Sequence, residues 1–170
     1  DGAALATQTR AFSACAEEVR RVFPEAVRHL CATGGIFAGG EAFDAVRPGL
    51  GLYGYAPPPF ANAAGLLPAM KVYAAVGQST VPFGTRPYGG GAGYAAAPRP
   101  FAALHTLCAG YGHGFFREGG LGAIGKLCMD ACVREGEMPF GAQVCVLDDA
   151  AAYAAQHNTT AYEILLAAGK

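Results

Sequence analysis

Charge is scarce in this sequence: 15% of its 170 residues are charged and the net charge is -1. Such a balance leaves no electrostatic footprint for nucleic acid or an anionic membrane, so neither is expected as a partner. Lysine is scarcer still, limited to Lys71, Lys126 and Lys170. No uninterrupted apolar stretch reaches the roughly 18 residues of a membrane-spanning helix. Asp1-Gly2-Ala3 lacks the basic region and apolar run of a secretory leader, and no initiator methionine precedes it. Also missing are a C-x-x-C pair, an H-x-x-x-H pair, a G-x-S-x-G elbow around Ser79 and an internal repeat. His29, His105, His113 and His157 are scattered, so no metal site is expected. The glycines of Tyr88–Tyr94 lack the Lys-Ser/Thr of a P-loop and read as a turn. Most of the six cysteines sit in apolar runs such as Val144-Cys145-Val146, which predicts buried free thiols and a reducing, cytoplasmic setting.

What is present is apolar: 52% of the residues are hydrophobic, enough for a sizeable core. Ala6, Phe12, Cys15, Ala16, Val19 and Val22 recur at three- and four-residue spacings, which predicts an amphipathic helix over 6–22. Arg20-Arg21 suit its C-terminal end and Pro24 stops it. A short strand follows over 26–32, then a helical turn and a second strand reaching Arg47-Pro48-Gly49. This alternation is how an α/β barrel ends, with too few units to close one. Residues 56–66, with three prolines, form the best linker. Beyond it, strands are predicted over 69–80, 102–109, 125–134 and 143–148, with helices at about 149–156 and 159–168. The expected fold class is an α/β barrel remnant (1–55) followed by a mainly-β C-terminal domain (67–170), its sheet closed or folded on itself.

Two segments carry charge in unusual places. Val46-Arg47-Pro48-Gly49-Leu50-Gly51-Leu52-Tyr53-Gly54 puts an arginine in an apolar, glycine-punctuated run, and Gly125-Lys126-Leu127-Cys128-Met129-Asp130 places charges on a strand-like segment. Each fits either a ligand contact or the exposed side of a half-buried strand.

Taken in order with three further segments, they resemble the alanine racemase family. Arg47–Gly54 is similar to its R-P-G-x-x-L-Y-G segment, Gly110-Tyr111-Gly112-His113-Gly114-Phe115 to G-Y-A-D-G-Y, and Gly125–Asp130 to G-R-V-C-M-D. Thr160-Ala161-Tyr162-Glu163-Ile164-Leu165 resembles S-Y-E-I-L, and His29–Gly34 resembles H-x-x-N-S-x.

The resemblance implies a pyridoxal 5'-phosphate (PLP) enzyme that interconverts L- and D-alanine for peptidoglycan synthesis. It implies a homodimer in which the β domain of one subunit completes the active site of the other. By the same resemblance Arg47 faces the pyridine nitrogen with His29 behind it. Thr33, Gly49, Leu50 and Tyr162 bind the phosphate. Met129 and Tyr111 lie on the substrate side, and Arg117 and Lys126 line the entry. The catalytic tyrosine of the family's V-P-x-G-x-x-V-S-Y-G corresponds to Tyr88 with the fewest edits. A gapless count back from Tyr111 falls on Ala92, and Tyr94 is a further candidate. His113, Lys126 and Ala32 replace the family's Asp, Arg and Asn. None of the three lysines matches the lysine that carries the cofactor, so the chain reads as a fragment, inactive alone. A serine or broad-specificity racemase of the same fold, or a non-catalytic binding domain derived from it, are the rival expectations.

Overall fold

The computed structural model describes residues 2–60, 65–80 and 103–168. They divide into two units, Asp1–Ala69 and Met70–Lys170.

Unit 1 opens with α1 (Gly2–Val22), four residues longer at its start than the periodicity predicts. Gly2-Ala3-Ala4-Leu5 extends the helix because alanine and leucine favour it whatever face they occupy. Next come β1 (His29–Ala32), α2 (Thr33–Phe37), β2 (Ala45–Arg47) and α3 (Gly49–Leu52). The strands pair in parallel, His29 opposite Ala45 and Ala32 opposite Arg47, with α2 in the crossover. The predicted helix–strand–turn–strand order is therefore present. Phe12 of α1 meets Phe43 edge to face at 5.0 Å. The Arg28 guanidinium lies 5.3 Å over the same ring and grips Asp44 at 3.0 Å. The Arg28 side-chain hydrogen bonds, with a backbone one from Arg28 N at 2.9 Å, hold the Asp44 carboxyl well below the usual carboxylate range.

Unit 2 contains β3 (Val72–Thr80), β4 (Leu104–Leu107), β5 (Cys132–Glu135) and β6 (Gln143–Leu147), followed by α4 (Ala150–Gln156) and α5 (Ala161–Ala167). The four strands form an antiparallel sheet in the order β5-β4-β3-β6. Its two outer strands approach each other: Arg134 of β5 donates from Nη1 to the Cys145 carbonyl of β6, a long bond of 3.5 Å. The sheet is thus curled, as expected of a β domain folded on itself. Val76, Leu104, Leu107 and Cys132 are buried along it, while Tyr153, Ala154 and Ile164 bury the inner faces of the two helices. Asp149 caps α4 by accepting from Ala151 N (2.9 Å) and Ala152 N (3.1 Å).

Two expectations change. Residues 125–130 are not strand: Gly125 has φ +74°, and only Lys126 makes a bridge, to Glu118. A left-handed residue there turns the chain out of any ladder. The six cysteines are all free, as expected, but Cys15 and Cys108 are exposed. Cys15 follows the apolar period of α1 yet is exposed, next to Ala16, the one buried residue of that helix.

Candidate functional site

Unit 1 brings its predicted residues to one end. β1 stops at Ala32 and Thr33 opens α2, while β2 stops at Arg47 and Gly49 opens α3 after Pro48. Because the two strands are parallel and adjacent, both helix starts lie at the same carboxyl edge. In α/β folds this edge collects ligands, because backbone N–H groups of the following helices point outward there. Thr33 is buried at 3% exposure, and its hydroxyl oxygen accepts from Gly51 N at 3.1 Å. This bond ties the two helix starts together and leaves the hydroxyl proton for a further acceptor. The contact is close: a β-carbon on Gly51 would lie 3.3 Å from Thr33 Cγ2.

Arg47 is exposed and donates from Nη2 to the Leu30 carbonyl at 3.1 Å. One guanidinium nitrogen is thereby anchored to the neighbouring strand, which directs the remaining donors of a rigid planar group. His29 lies on β1 and is exposed, and no hydrogen bond joins it to Arg47. The site therefore offers a hydroxyl, amides at two helix starts and one fixed cation. That donor set suits an anion such as a phosphate ester.

Unit 2 gathers a second group. Gly110 to Gly114 form a turn around Tyr111–His113, and Tyr111 N donates to Cys128 O (3.0 Å) and Gly112 N to Met129 O (2.7 Å). The two backbones touch so closely that side chains are excluded. A β-carbon on Gly110 would lie 2.3 Å from Cys128 O, one on Gly112 2.8 Å from Met129 O, and one on Gly114 2.3 Å from Ala167 O. Gly114 also has φ +86°. Tyr111 and Met129, both named from the sequence, are thus neighbours, and both are exposed. Arg117 lies 5.7 Å over the Tyr111 ring, and Lys126 pairs with Glu118. His113 accepts from Gly110 N through Nδ1 at 3.2 Å, so it fills an acceptor role open to an aspartate in the same place. Tyr162 is the second residue of α5 and half exposed. Tyr88, Tyr94 and Ala92 lie outside the described residues.

Sequence reasoning missed the support beneath this group. The Tyr153 hydroxyl accepts from Phe116 N at 3.0 Å, and burial pushes its own ionisation upward. Phe116 stacks on His157 at 4.3 Å, and the buried His157 Nε2 has no hydrogen-bond partner among the described residues. His105, buried on β4, takes the Ser79 hydroxyl on Nδ1 at 2.9 Å and donates from Nε2 to Gly136 O at 2.7 Å. Since a carbonyl only accepts, that second bond fixes the tautomer. The strand signals around Ser79 and His105 mark both segments, but pairings 26 and 37 residues apart carry no local signature.

Residues 1–57 match the family model described as alanine racemase, N-terminal domain. No curated relative matches the sequence. Among solved structures, alanine racemase from Bartonella henselae with covalently bound pyridoxal phosphate is 27% identical, with a TM-score of 0.73 over 89% of this chain and 48% of that one. Alanine racemase from D-cycloserine-producing Streptomyces lavendulae is 26% identical, with a TM-score of 0.69 over 82% of this chain and 42% of that one. The enzyme from Acinetobacter baumannii is 22% identical at a TM-score of 0.70, covering 88% and 47% respectively. The chain therefore has an alanine racemase-like fold and spans less than half the length of these structures.

Proposed function

We propose that this chain supplies the phosphate-binding edge of the barrel and the β domain of a PLP-dependent alanine racemase acting in the cytoplasm as a homodimer. The observation that carries the reading is the Thr33–Gly51 bond, which holds two helix starts together at the parallel strand edge where Arg47 ends β2. The order of the motifs and the likeness to solved racemases support it. PLP, when bound, supplies a conjugated ring that takes up the electron pair left by a departing α-proton.

This chain's residues would then act as follows. The Thr33 hydroxyl donates to a phosphate oxygen, alongside the amides of Gly49 and Leu50, and Tyr162 adds a phenol donor. Arg47 donates to the pyridine nitrogen without releasing its proton, because a guanidinium stays charged. The Met129 amide and the Tyr111 side chain orient the substrate carboxylate. Tyr88 exchanges a proton at the α-carbon on one face, which for a phenol requires a cation nearby. Lys126 is held by Glu118, and neither Lys71 nor Lys170 falls in a family motif, so the chain by itself should not racemise alanine.

The test divides protein purified from its source: one portion is assayed for loss of L-alanine optical activity, and another is reduced with borohydride and its mass measured. A lysine-linked PLP adduct on the polypeptide containing this sequence, with alanine turned over faster than serine, is the expected result. A 17.3 kDa protein with no adduct and no racemisation would overturn the reading, and a preference for serine would correct its substrate.

A further inference from the structure

A polar cavity of about 320 Å³ lies in unit 2 between the approaching outer strands and α4, apart from the Tyr111–Met129 group. Its walls include Gly122, Arg134, Cys145, Asp148, Asp149 and Gln156. The size falls at the lower end of small-molecule pockets, roughly 300–1,000 Å³.

The arginine is the informative wall. Its guanidinium lies over Gly122, where a β-carbon would sit 3.5 Å from Nη2 and the backbone has φ +62°. Its one hydrogen bond among the described residues is the long one to Cys145 O. Asp148 and Asp149 share the cavity, yet neither forms an ion pair with Arg134. A partly buried guanidinium without a carboxylate partner costs stability unless something else accepts from it. Both aspartates are exposed; Asp149 uses Oδ1 to cap α4, while the Asp148 side chain makes no hydrogen bond or ion pair among the described residues. The site therefore holds one unmatched positive group and one unmatched negative group on separate walls. A simple anion would suit Arg134 but face two carboxylates, and a simple cation would meet the arginine. A ligand carrying both charges a few bonds apart matches both walls, and the Gln156 amide can serve either end.

We propose that this cavity binds the zwitterion of a small free amino acid, its carboxylate on Arg134 and its ammonium on Asp148. Occupancy would bridge β5 and β6 across the opening of the curled sheet.

The whole chain, without PLP, is titrated with L-alanine while backbone amide shifts are followed by NMR. Saturable shifts at Gly122, Cys145 and Gln156 are expected, with acetate and methylammonium each about tenfold weaker. Arg134→Met should weaken alanine binding at least about tenfold. Should that variant fail to fold, the surface change Asp148→Asn decides: alanine should weaken and acetate strengthen. No saturable shift at these amides, acetate binding as well as alanine, or alanine binding unchanged by Asp148→Asn would each overturn the proposal. Because PLP is left out and the shifts are read at this cavity, the result does not depend on the racemase reading.

Discussion

Unit 1 buries Ala16, Cys31, Leu50 and Tyr55 among its apolar residues and leaves Val22, Phe23, Val27 and Leu52 mostly exposed. Unit 2 encloses Val76, Leu104, Leu107, Phe115, Leu127, Val146, Tyr153 and Ile164 in one sheet-and-helix core. The two units also build their polar groups by different means. In unit 1 a side-chain hydroxyl ties two helix starts together. In unit 2 the backbone at Gly110 and Gly112 lies directly on that of 128–131, and glycine is the residue that fits at those two positions. Hydrogen-bonded geometry degrades gradually when a partner is removed, whereas backbone-on-backbone packing fails abruptly when an atom is added.

The largest expected effect follows from that second mode. Gly110→Ala forces a β-carbon into two carbonyls and should cost unit 2 about 3 kcal/mol or more in urea unfolding. Gly2→Ala, which meets nothing within 4 Å, should be neutral or slightly stabilising. If both behave alike, the close approach of Gly110 to the Cys128 and Met129 carbonyls is wrong.

Thr33→Val should cost about 1–2 kcal/mol, confined to unit 1, because Gly51 N loses its acceptor while the shape is kept. Thr33→Ser should restore most of it. Local hydrogen exchange at Gly51 reads the difference.

A smaller loss of about 1 kcal/mol is expected for His113→Leu, which strands Gly110 N, while His113→Asp keeps an acceptor and should be close to neutral. The two variants separate a capping role from a charge role at the position where the family has Asp.

Smallest is the acid response of unit 1. Asp44 is held below its unfolded value chiefly by the Arg28 hydrogen bond, so its contribution is complete above the ordinary carboxylate range. It is lost progressively as pH falls from there toward the lowered native value. Asp44→Asn should flatten the acid limb of a pH titration of α1–β1 exchange, and an unchanged limb would remove Asp44 as its cause.

Sequence reasoning reached the elements better than their contacts. α1, the parallel pair and the strands β3 to β6 follow from period, capping and turn residues that act within a few positions. Arg47 and Thr33 were visible as residues, but the Thr33–Gly51 bond spans 18 positions and depends on two strands lying side by side. Residues 125–130 misled because a short apolar run, Leu127-Cys128-Met129, flanked by charges reads as a strand, while the deciding feature is a positive φ at Gly125. The glycines of 110–114 stood out as a motif, yet the reason for them is carbonyls arriving from Cys128 and Met129 at Gly110 and Gly112 and from Ala167 at Gly114.

The central claim, that the strand edge of unit 1 holds a phosphate, is tested most directly by equilibrium dialysis of the whole chain with pyridoxine 5'-phosphate and with pyridoxine. Neither carries an aldehyde, so lysine chemistry does not intrude. The phosphate should improve affinity about tenfold or more, and Thr33→Val should erase most of the gain. Equal affinity for the two ligands, or a gain untouched by Thr33→Val, would contradict it.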